Sequence, residues 1–515
     1  MIRPLRDPLL YAVPLLAIAY YVPILGWLSW LGDEGVLLHG AVRILDGQTL
    51  YRDFFEILPP GAFLIPAAWL KVFGAGFVSA RVFSSLVIAT IVALLYSAAR
   101  LSSGHRALAA LLALAWAVRV SIEMNHHALT TAASMAAAVS VLAALDGARH
   151  PRAALFSAGF FAGTALTITQ SRGAVLCAAL LMVLLSLPGS RRRLAPALAG
   201  MIVSPAAMML HLAATGALTV AFDSVVTFPL RHYAAVQHVP FGSFATLADA
   251  AVVAFFPVSF ALAAVGLALG GRPLWREPRF RVCLALAIVG LLGAYLRPDT
   301  PHLAYTIPLA APLFTLVATD LLARLRPRAR MAVAVLLVGL AVAHVGYAVS
   351  LRARLLTGPV ATVATPRGTI QRLPGAWTDD FAALMARIRR TGADDAFFFY
   401  AHVPMLPYLA ARRHVAPLDV MVPGYTTPAQ FRDTCVRVLR EAQWVVLDLR
   451  GMNTATLRSL YPSLADPDPP ERRAFESALA LAFETVHPSV FFELRGRRQP
   501  AISTAPCDGI GATAR

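Results

Sequence analysis

The chain has 515 residues, 58% of them apolar, and a mean hydropathy of +0.65, well above the roughly 45–50% apolar share of soluble domains. Lys plus Arg number 45 against 28 Asp plus Glu, a net charge of +17. Most of these basic residues fall in short loops between long apolar runs, which excludes a nucleic-acid surface and points to a polytopic membrane protein.

The first run, Leu9 to Leu31, is long enough to span. It lacks a small-residue cleavage site, so it reads as a retained span rather than a signal peptide. Just beyond it lie Asp33, Glu34, Asp53 and Glu56, in a first loop covering about 32–76. An amphipathic helix pattern sits between the two acidic pairs, and Pro59-Pro60-Gly61 reads as a turn. Charge beside hydrocarbon is costly, so four carboxylates at a membrane edge mark a candidate site. Residues 60–73 are apolar but too short to cross, and are expected in the interface. Further spans are predicted at 77–100, 106–121, 127–146, 153–170, 173–188, 194–215, 247–270, 281–297, 302–323 and 330–351, about eleven in all. The pair 153–170 and 173–188 could be short helices that do not fully cross.

The loops divide into a set with seventeen basic residues and a set with eight. The richer set is expected on the cytoplasmic side. The N-terminus is then cytoplasmic, and the first loop and everything after residue 351 are extracytoplasmic, which for a bacterial inner-membrane protein means the periplasm. Residues 352–495 read as a small α/β domain, with a hairpin at 360–365 and 369–373 and strands at 396–400, 444–448 and 490–494. Its helices are expected from Thr378 to Arg390, from Thr427-Pro428 to Glu441, with proline at the first position, and from Pro470 to Phe483. Residues 496–515 read as a loose tail. Cys177 and Cys283 lie in apolar runs. Cys435 and Cys507 could pair if their region is extracytoplasmic, although Cys507 falls in that tail. No CxxC or Cys/His zinc spacing is present.

The outer face collects the unusual polar residues: the first-loop acids, Arg119, Glu123, Asn125, His126 and His127, Gln170 and Arg172, the loop 216–246, and Arg297-Pro298-Asp299-Thr300-Pro301-His302. A carboxylate can act as general base on a hydroxyl, and arginine can hold a phosphate in bidentate fashion. Together at a membrane edge they suit a reaction in which a lipid phosphate leaves. Simpler roles stand beside these: Asp33 as a helix cap, Asp53 as a partner of Arg52, Arg297 as an anchor reaching lipid head groups. His126 and His127 are adjacent and expected to point apart, poor geometry for a metal. Asp466-Pro467-Asp468 lies in a proline-rich linker and is not read as a nucleotide-sugar motif.

A first span, Asp-Glu just past it, the helix Ala41-Val-Arg-Ile-Leu-Asp-Gly-Gln-Thr-Leu-Tyr51, then Arg-Asp-Phe and Pro-Pro-Gly: this order resembles the first extracytoplasmic loop of the GT-C glycosyltransferases. The branch is that of protein O-mannosyltransferases and lipid A aminoarabinose transferases. The Arg297-x-Asp299-x-x-His302 segment and the C-terminal domain also look like bacterial relatives of that branch. The resemblance implies a GT-C-like membrane domain over 1–351 with Asp33 as the catalytic carboxylate and Glu34 beside it. It implies substrate contacts from Asp53, Glu56, Glu123, Arg172, Arg297, Asp299 and His302. The family often has Lys before the paired prolines; Leu58 stands there, which moves the expected phosphate contact to Arg297, His302 and Arg172. The implied donor is a polyprenyl-phosphate sugar, transferred with inversion to a hydroxyl of a glycan, lipid or protein acceptor. No cofactor is expected, and no P-loop or glycine fingerprint is present; the four carboxylates leave a divalent metal ion open as an alternative. A transporter or flippase is the rival class, but it would place polar groups near mid-span, and here they gather at one face. A membrane anchor that only presents the C-terminal domain would leave the acidic loop unexplained.

Overall fold

The computed structural model describes residues 7–246, 249–498 and 503–510. The membrane part is a helical bundle. In chain order it comprises α1 (Leu9–Tyr21), α2 (Asp33–Leu45), α3 (Gly61–Phe73), α4 (Phe77–Ser103), α5 (Arg106–Ala117), α6 (His126–Leu145), α7 (Pro151–Ile168) and α8 (Gln170–Ser186). These are followed by α9 (Ser190–Ala214), the short α10 (Leu218–Phe222) and α11 (Ala234–Gln237), then α12 (Ala250–Arg276), α13 (Pro278–Gly293), α14 (Thr300–Arg324) and α15 (Pro327–Thr357). Each predicted span thus meets a helix. Among the described residues six are long and apolar enough to cross a membrane: α4, α6, α9, α12, α14 and α15. The helices α1, α5 and α8 are apolar but shorter.

The first helix stops sooner than its apolar run suggests. A 3-10 turn at Val22–Ile24 contains Pro23, and the backbone then leaves to pair elsewhere. Helices α7 and α9 touch closely: a Cβ on Gly159 would lie 1.8 Å from the Ala197 carbonyl oxygen, and one on Gly200 would lie 2.0 Å from that of Phe156. Small residues at such crossings are what let backbones approach within a membrane.

After α15 the chain forms a hairpin, β1 (Ala361–Thr365) and β2 (Gly368–Arg372). It docks on the exit of the first helix: Gln371 N donates to Gly26 O at 2.7 Å, and Leu28 N to Gln371 O at 2.9 Å. Phe77 N at the start of α4 donates to Arg367 O. The first loop and the C-terminal region therefore share one end of the bundle.

The C-terminal domain continues with α16 (Ala376–Arg389), β3 (Ala396–Tyr400), α17 (Met405–Ala410), β4 (Arg413–His414), α18 (Pro428–Glu441), β5 (Trp444–Asp448), α19 (Thr454–Leu460), α20 (Pro470–Ala482), β6 (Phe483–His487) and β7 (Phe492–Arg497). The sheet order is β4-β3-β5-β7-β6, with β3 parallel to β4 and β5, and β7 antiparallel to both of its neighbours. The strand β3, AFFFY, is buried at every residue, as a central strand covered on both faces must be. Thr427 and Gln430 form the capping box that opens α18, with Pro428 at its first position.

Three sequence expectations shift here. The helix expected from Thr378 starts at Ala376, because Thr378 turns its hydroxyl to Leu373 O instead of capping. The last strand starts two residues late, and β6 starts at Phe483, where the preceding helix is expected to end; no strand is expected there although Thr485 and Val486 favour one. The loose tail is tied down: Cys507 is disulfide-bonded to Cys435, and Cys507 and Ile510 are buried against the sheet domain. Residues 499–502 and 511–515 of that tail lie outside the described residues.

Candidate active site

Successive residues on a helix point about 100° apart, so the two acids that open α2 cannot face the same way. Both sit in its first turn, where carboxylates complement the helix dipole. Asp33 faces an open cleft with its side chain 67% exposed. Its nearest charged neighbour is His402, with Nε2 3.7 Å from Asp33 Oδ1. The indole of Trp30 meets the His402 ring edge-on, centroids 5.4 Å apart. Partial desolvation in the cleft pushes the Asp33 carboxyl up. His402 pulls it down by hydrogen bonding and charge, with His302 and His126 adding to the pull, and the net direction is below its ordinary value.

Glu34 turns inward and is 2% exposed. Its Oε2 accepts from Arg81 Nη2 at 2.7 Å and its Oε1 from Met124 N at 3.0 Å. Burial raises its carboxyl to about 7 against the pull of Arg81. Glu34 therefore ties α2 to α4 and to the segment before α6, and does not share the cleft with Asp33; the expected catalytic pair is split. The other first-loop acids are also taken up by structure. Asp53 Oδ2 accepts from Thr49 N at 2.6 Å and pairs with Arg52 at 3.0 Å, closing a turn. Glu56 is buried near Arg43 and Asp419, and desolvation raises its carboxyl well above the usual range. Glu123 accepts from the Ser29 hydroxyl.

The C-terminal domain sits directly on the acidic helix. Met405 N donates to Leu31 O at 3.0 Å, and a Cβ on Gly35 would lie 2.0 Å from Met405 N; only glycine permits this approach. A second, buried contact locks the same two elements. Asp419 accepts from Arg43 Nη1 at 2.8 Å and meets His39 Nδ1 at 2.9 Å, and Arg43 Nη2 donates to Ala416 O. This docking delivers His402 to Asp33.

The opposite wall comes from α6, α8, α14 and the loop before α12. Asp299 caps α14: its Oδ1 accepts from His302 N at 3.1 Å and meets His302 Nδ1 at 2.5 Å, and its Oδ2 accepts from Arg297 Nε at 2.8 Å. Desolvation pushes Asp299 up, while His302 and Arg297 pull it to a net value below normal. Arg297 is fully engaged, donating also to Gln237 Oε1 at 2.7 Å and Leu460 O at 2.9 Å. Arg172, on the first turn of α8, donates through Nε to Gly293 O at 2.6 Å, but its buried Nη1 has no partner. His126 and His127 do not point apart: their ring centroids are 3.8 Å apart, and His127 meets His302 at 4.7 Å. Asn125 caps α6 by accepting from His127 N, and His126 Nδ1 meets the Thr169 hydroxyl at 2.9 Å. Among the described residues no group of three or more His, Cys, Asp or Glu has the geometry to hold a metal ion.

Of the expected residues, then, the cleft gathers Asp33, Arg172, Asp299 and His302, with Arg297 behind them as a strut. Glu34 and Asp53 lie in separate structural contacts, and Glu56 is buried near Arg43, Asp419 and Tyr425. The sequence reading missed His402. It follows the C-terminal end of β3, the edge of a parallel sheet where functional groups tend to collect, and that position was its signal. It placed Tyr233 among the polar residues of the loop 216–246 without giving it a role, and it missed Tyr425 and Tyr461, which carry no sequence motif.

Residues 58–228 match the family described as dolichyl-phosphate-mannose-protein mannosyltransferase. No curated protein matches the chain. Among solved structures, ArnT from Cupriavidus metallidurans bound to undecaprenyl phosphate is similar over 95% of this chain and 97% of its own, at 15% identity and a TM-score of 0.57. The apo form of that protein aligns with a TM-score of 0.54 over the same shares, also at 15% identity. The arabinofuranosyltransferase AftD from Mycobacteria aligns over 96% of this chain and 40% of its own, at 15% identity and a TM-score of 0.52. The chain shares its fold with these solved structures.

Proposed function

We propose that this chain, with its GT-C fold, is a membrane glycosyltransferase that moves a sugar from a polyprenyl-phosphate donor to an acceptor hydroxyl. The observation that carries the reading is Asp33: among the four first-loop acids it alone faces the open cleft, and its surroundings keep it ionised. An ionised carboxylate in contact with a hydroxyl acts as general base. The acceptor O–H proton passes to Asp33, the acceptor oxygen bonds to the anomeric carbon, and the bond from that carbon to phosphate oxygen breaks. A single displacement inverts the anomeric centre, and polyprenyl phosphate leaves. Arg172 supports this step because its Nη1 is buried without a partner at the membrane edge of the cleft, where charge-assisted bonds to phosphate are strongest. His302, held by Asp299 through Nδ1, keeps Nε2 for the same leaving group. Arg297 is spent on protein partners and serves to hold that wall.

The match to a mannosyltransferase family and the undecaprenyl phosphate seen with ArnT support a lipid-phosphate donor. The periplasmic side is supported by the Cys435–Cys507 disulfide, a bond of oxidising compartments, and by the arginine asymmetry of the loops. The deciding experiment compares envelope glycan and lipid composition in a deletion host carrying wild type or Asp33→Asn. Full restoration of the missing product by Asp33→Asn overturns the assignment.

A further inference from the structure

A tyrosine buried in a protein normally finds a hydrogen-bond partner for its hydroxyl. This chain has 13 tyrosines, and most follow the rule. Tyr20, Tyr21, Tyr51, Tyr96, Tyr400 and Tyr408 all donate to named protein oxygens. Tyr11, Tyr295 and Tyr347 are exposed on the surface. The phenol oxygens of the remaining four, Tyr233, Tyr305, Tyr425 and Tyr461, have no hydrogen-bond partner among the described residues. Tyr305 lies on α14 beside His127, apart from the other three.

These three come from distant parts of the sequence and meet at one wall of the cleft. Tyr233 belongs to the loop between α10 and α11, Tyr425 to the segment before α18, and Tyr461 follows α19. The rings of Tyr233 and Tyr425 meet at 5.7 Å, and Phe228 packs on Tyr425 at 6.1 Å and on Phe55 at 4.8 Å. The Arg297 guanidinium lies 5.5 Å from the Tyr461 ring centroid, fixing that ring through the strut that also holds Asp299 and His302. Asp33 acts electrostatically on all three phenols, helping to raise them; burial is the larger cause, and it takes Tyr233 up to about 12. They are thus neutral donors beside the base.

Aromatic faces with free hydroxyls suit a sugar ring, whose C–H face lies on the aromatic surface while its hydroxyls bond the phenols. Small-molecule sites are built this way, from an apolar lining with a few placed polar groups. Tyr425 and Tyr461 come from the C-terminal domain, and Tyr233 alone of the three interacts electrostatically with Arg172, the phosphate side. We infer that Tyr233, Tyr425 and Tyr461 form a subsite for a sugar ring of the acceptor, so that the acceptor is a carbohydrate. This rests on the transferase reading above.

The test uses the full chain in lipid nanodiscs and saturation-transfer NMR with a panel of methyl glycopyranosides: hexose, pentose and hexosamine. At least one glycoside should bind wild type. Its binding should fall about tenfold in Tyr425→Phe/Tyr461→Phe, which keeps the rings and loses two hydroxyl bonds of about 0.5–1.5 kcal/mol each. Tyr233→Ala should weaken it as well. The subsite is overturned if no glycoside binds wild type, or if binding survives these substitutions. Displacement of the glycoside by a polyprenyl-phosphate mannose would give the subsite to the donor sugar and overturn the acceptor assignment. The two readings separate cleanly. Product loss in Asp33→Asn with tyrosine-independent binding removes the subsite alone. Product retention in Asp33→Asn with tyrosine-dependent binding removes the base alone.

Discussion

The two ends of the helical bundle use the same residue types to opposite ends. At the end away from the sheet domain, Asp7 is buried and takes Tyr96 Oη and Arg100 Nη1, each at 2.5 Å. Asp146 pairs there with Arg279, and Asp320 with Arg324. At the other end, Asp33 meets His402 at 3.7 Å, and Arg172 Nη1 and the hydroxyls of Tyr233, Tyr425 and Tyr461 stand without hydrogen-bond partners among the described residues. Closed pairs anchor helices; groups left open in a buried setting wait for something else to bond. The contrast is sharpest between neighbours: Asp33 opens to the cleft and Glu34, one residue on, is locked to Arg81.

Asp33→Asn probes the open side with the largest effect. Transfer should fall about 10²- to 10⁴-fold while thermal stability stays within about 0.5 kcal/mol of wild type, measured by product analysis and by melting of the purified protein. Glu34→Ala should reverse that profile. Removing one partner of a buried pair costs about 3–5 kcal/mol, so melting should drop sharply while activity per folded molecule remains; a catalytic loss at unchanged stability would break the comparison. Arg172→Met should reduce transfer on the order of 10- to 100-fold, the value of one or two bonds to a charged group, with little change in melting. The smallest effect concerns pH. Desolvation opposes ionisation of Asp419, but His39 and Arg43 outweigh it and hold its carboxyl far below normal. A depressed carboxyl contributes stability that is present above its unfolded value of about 3.9 and lost as pH falls toward the folded one. Wild type should therefore lose stability steadily below that pH, and Asp419→Asn should show a flatter acid limb in the same melting series.

Much of this was legible in the chain. Apolar runs of span length named every long helix, because a membrane leaves the backbone few alternatives. The acids after the first span and the Asp299–His302 segment stood out as polar groups of one face, and the structure brings Asp33 and His302 close enough to interact electrostatically. What the sequence hid was direction. Glu34 and Asp33 are equivalent as letters, and only the position of Arg81 on α4 separates them. Leu9 to Leu31 reads as one run, but pairing of Gly26 and Leu28 with Gln371 ends the helix early. His402, Tyr425 and Tyr461 reach the cleft through tertiary contacts from about four hundred residues beyond Asp33, and Tyr233 from 200 residues beyond it (233 minus 33); no local periodicity records such a meeting. Cys507 looked loose because a tail's composition says nothing about the disulfide that holds it.

Gly35 adds a matter of timing. The backbone contact it permits, Met405 against Leu31, joins two segments of the chain that are synthesised far apart in time. Asp33 is made long before His402, Tyr425 and Tyr461. A nascent chain then carries the Asp33 carboxylate without its surroundings, and the cleft is assembled only when the sheet domain has been made and has closed upon that glycine.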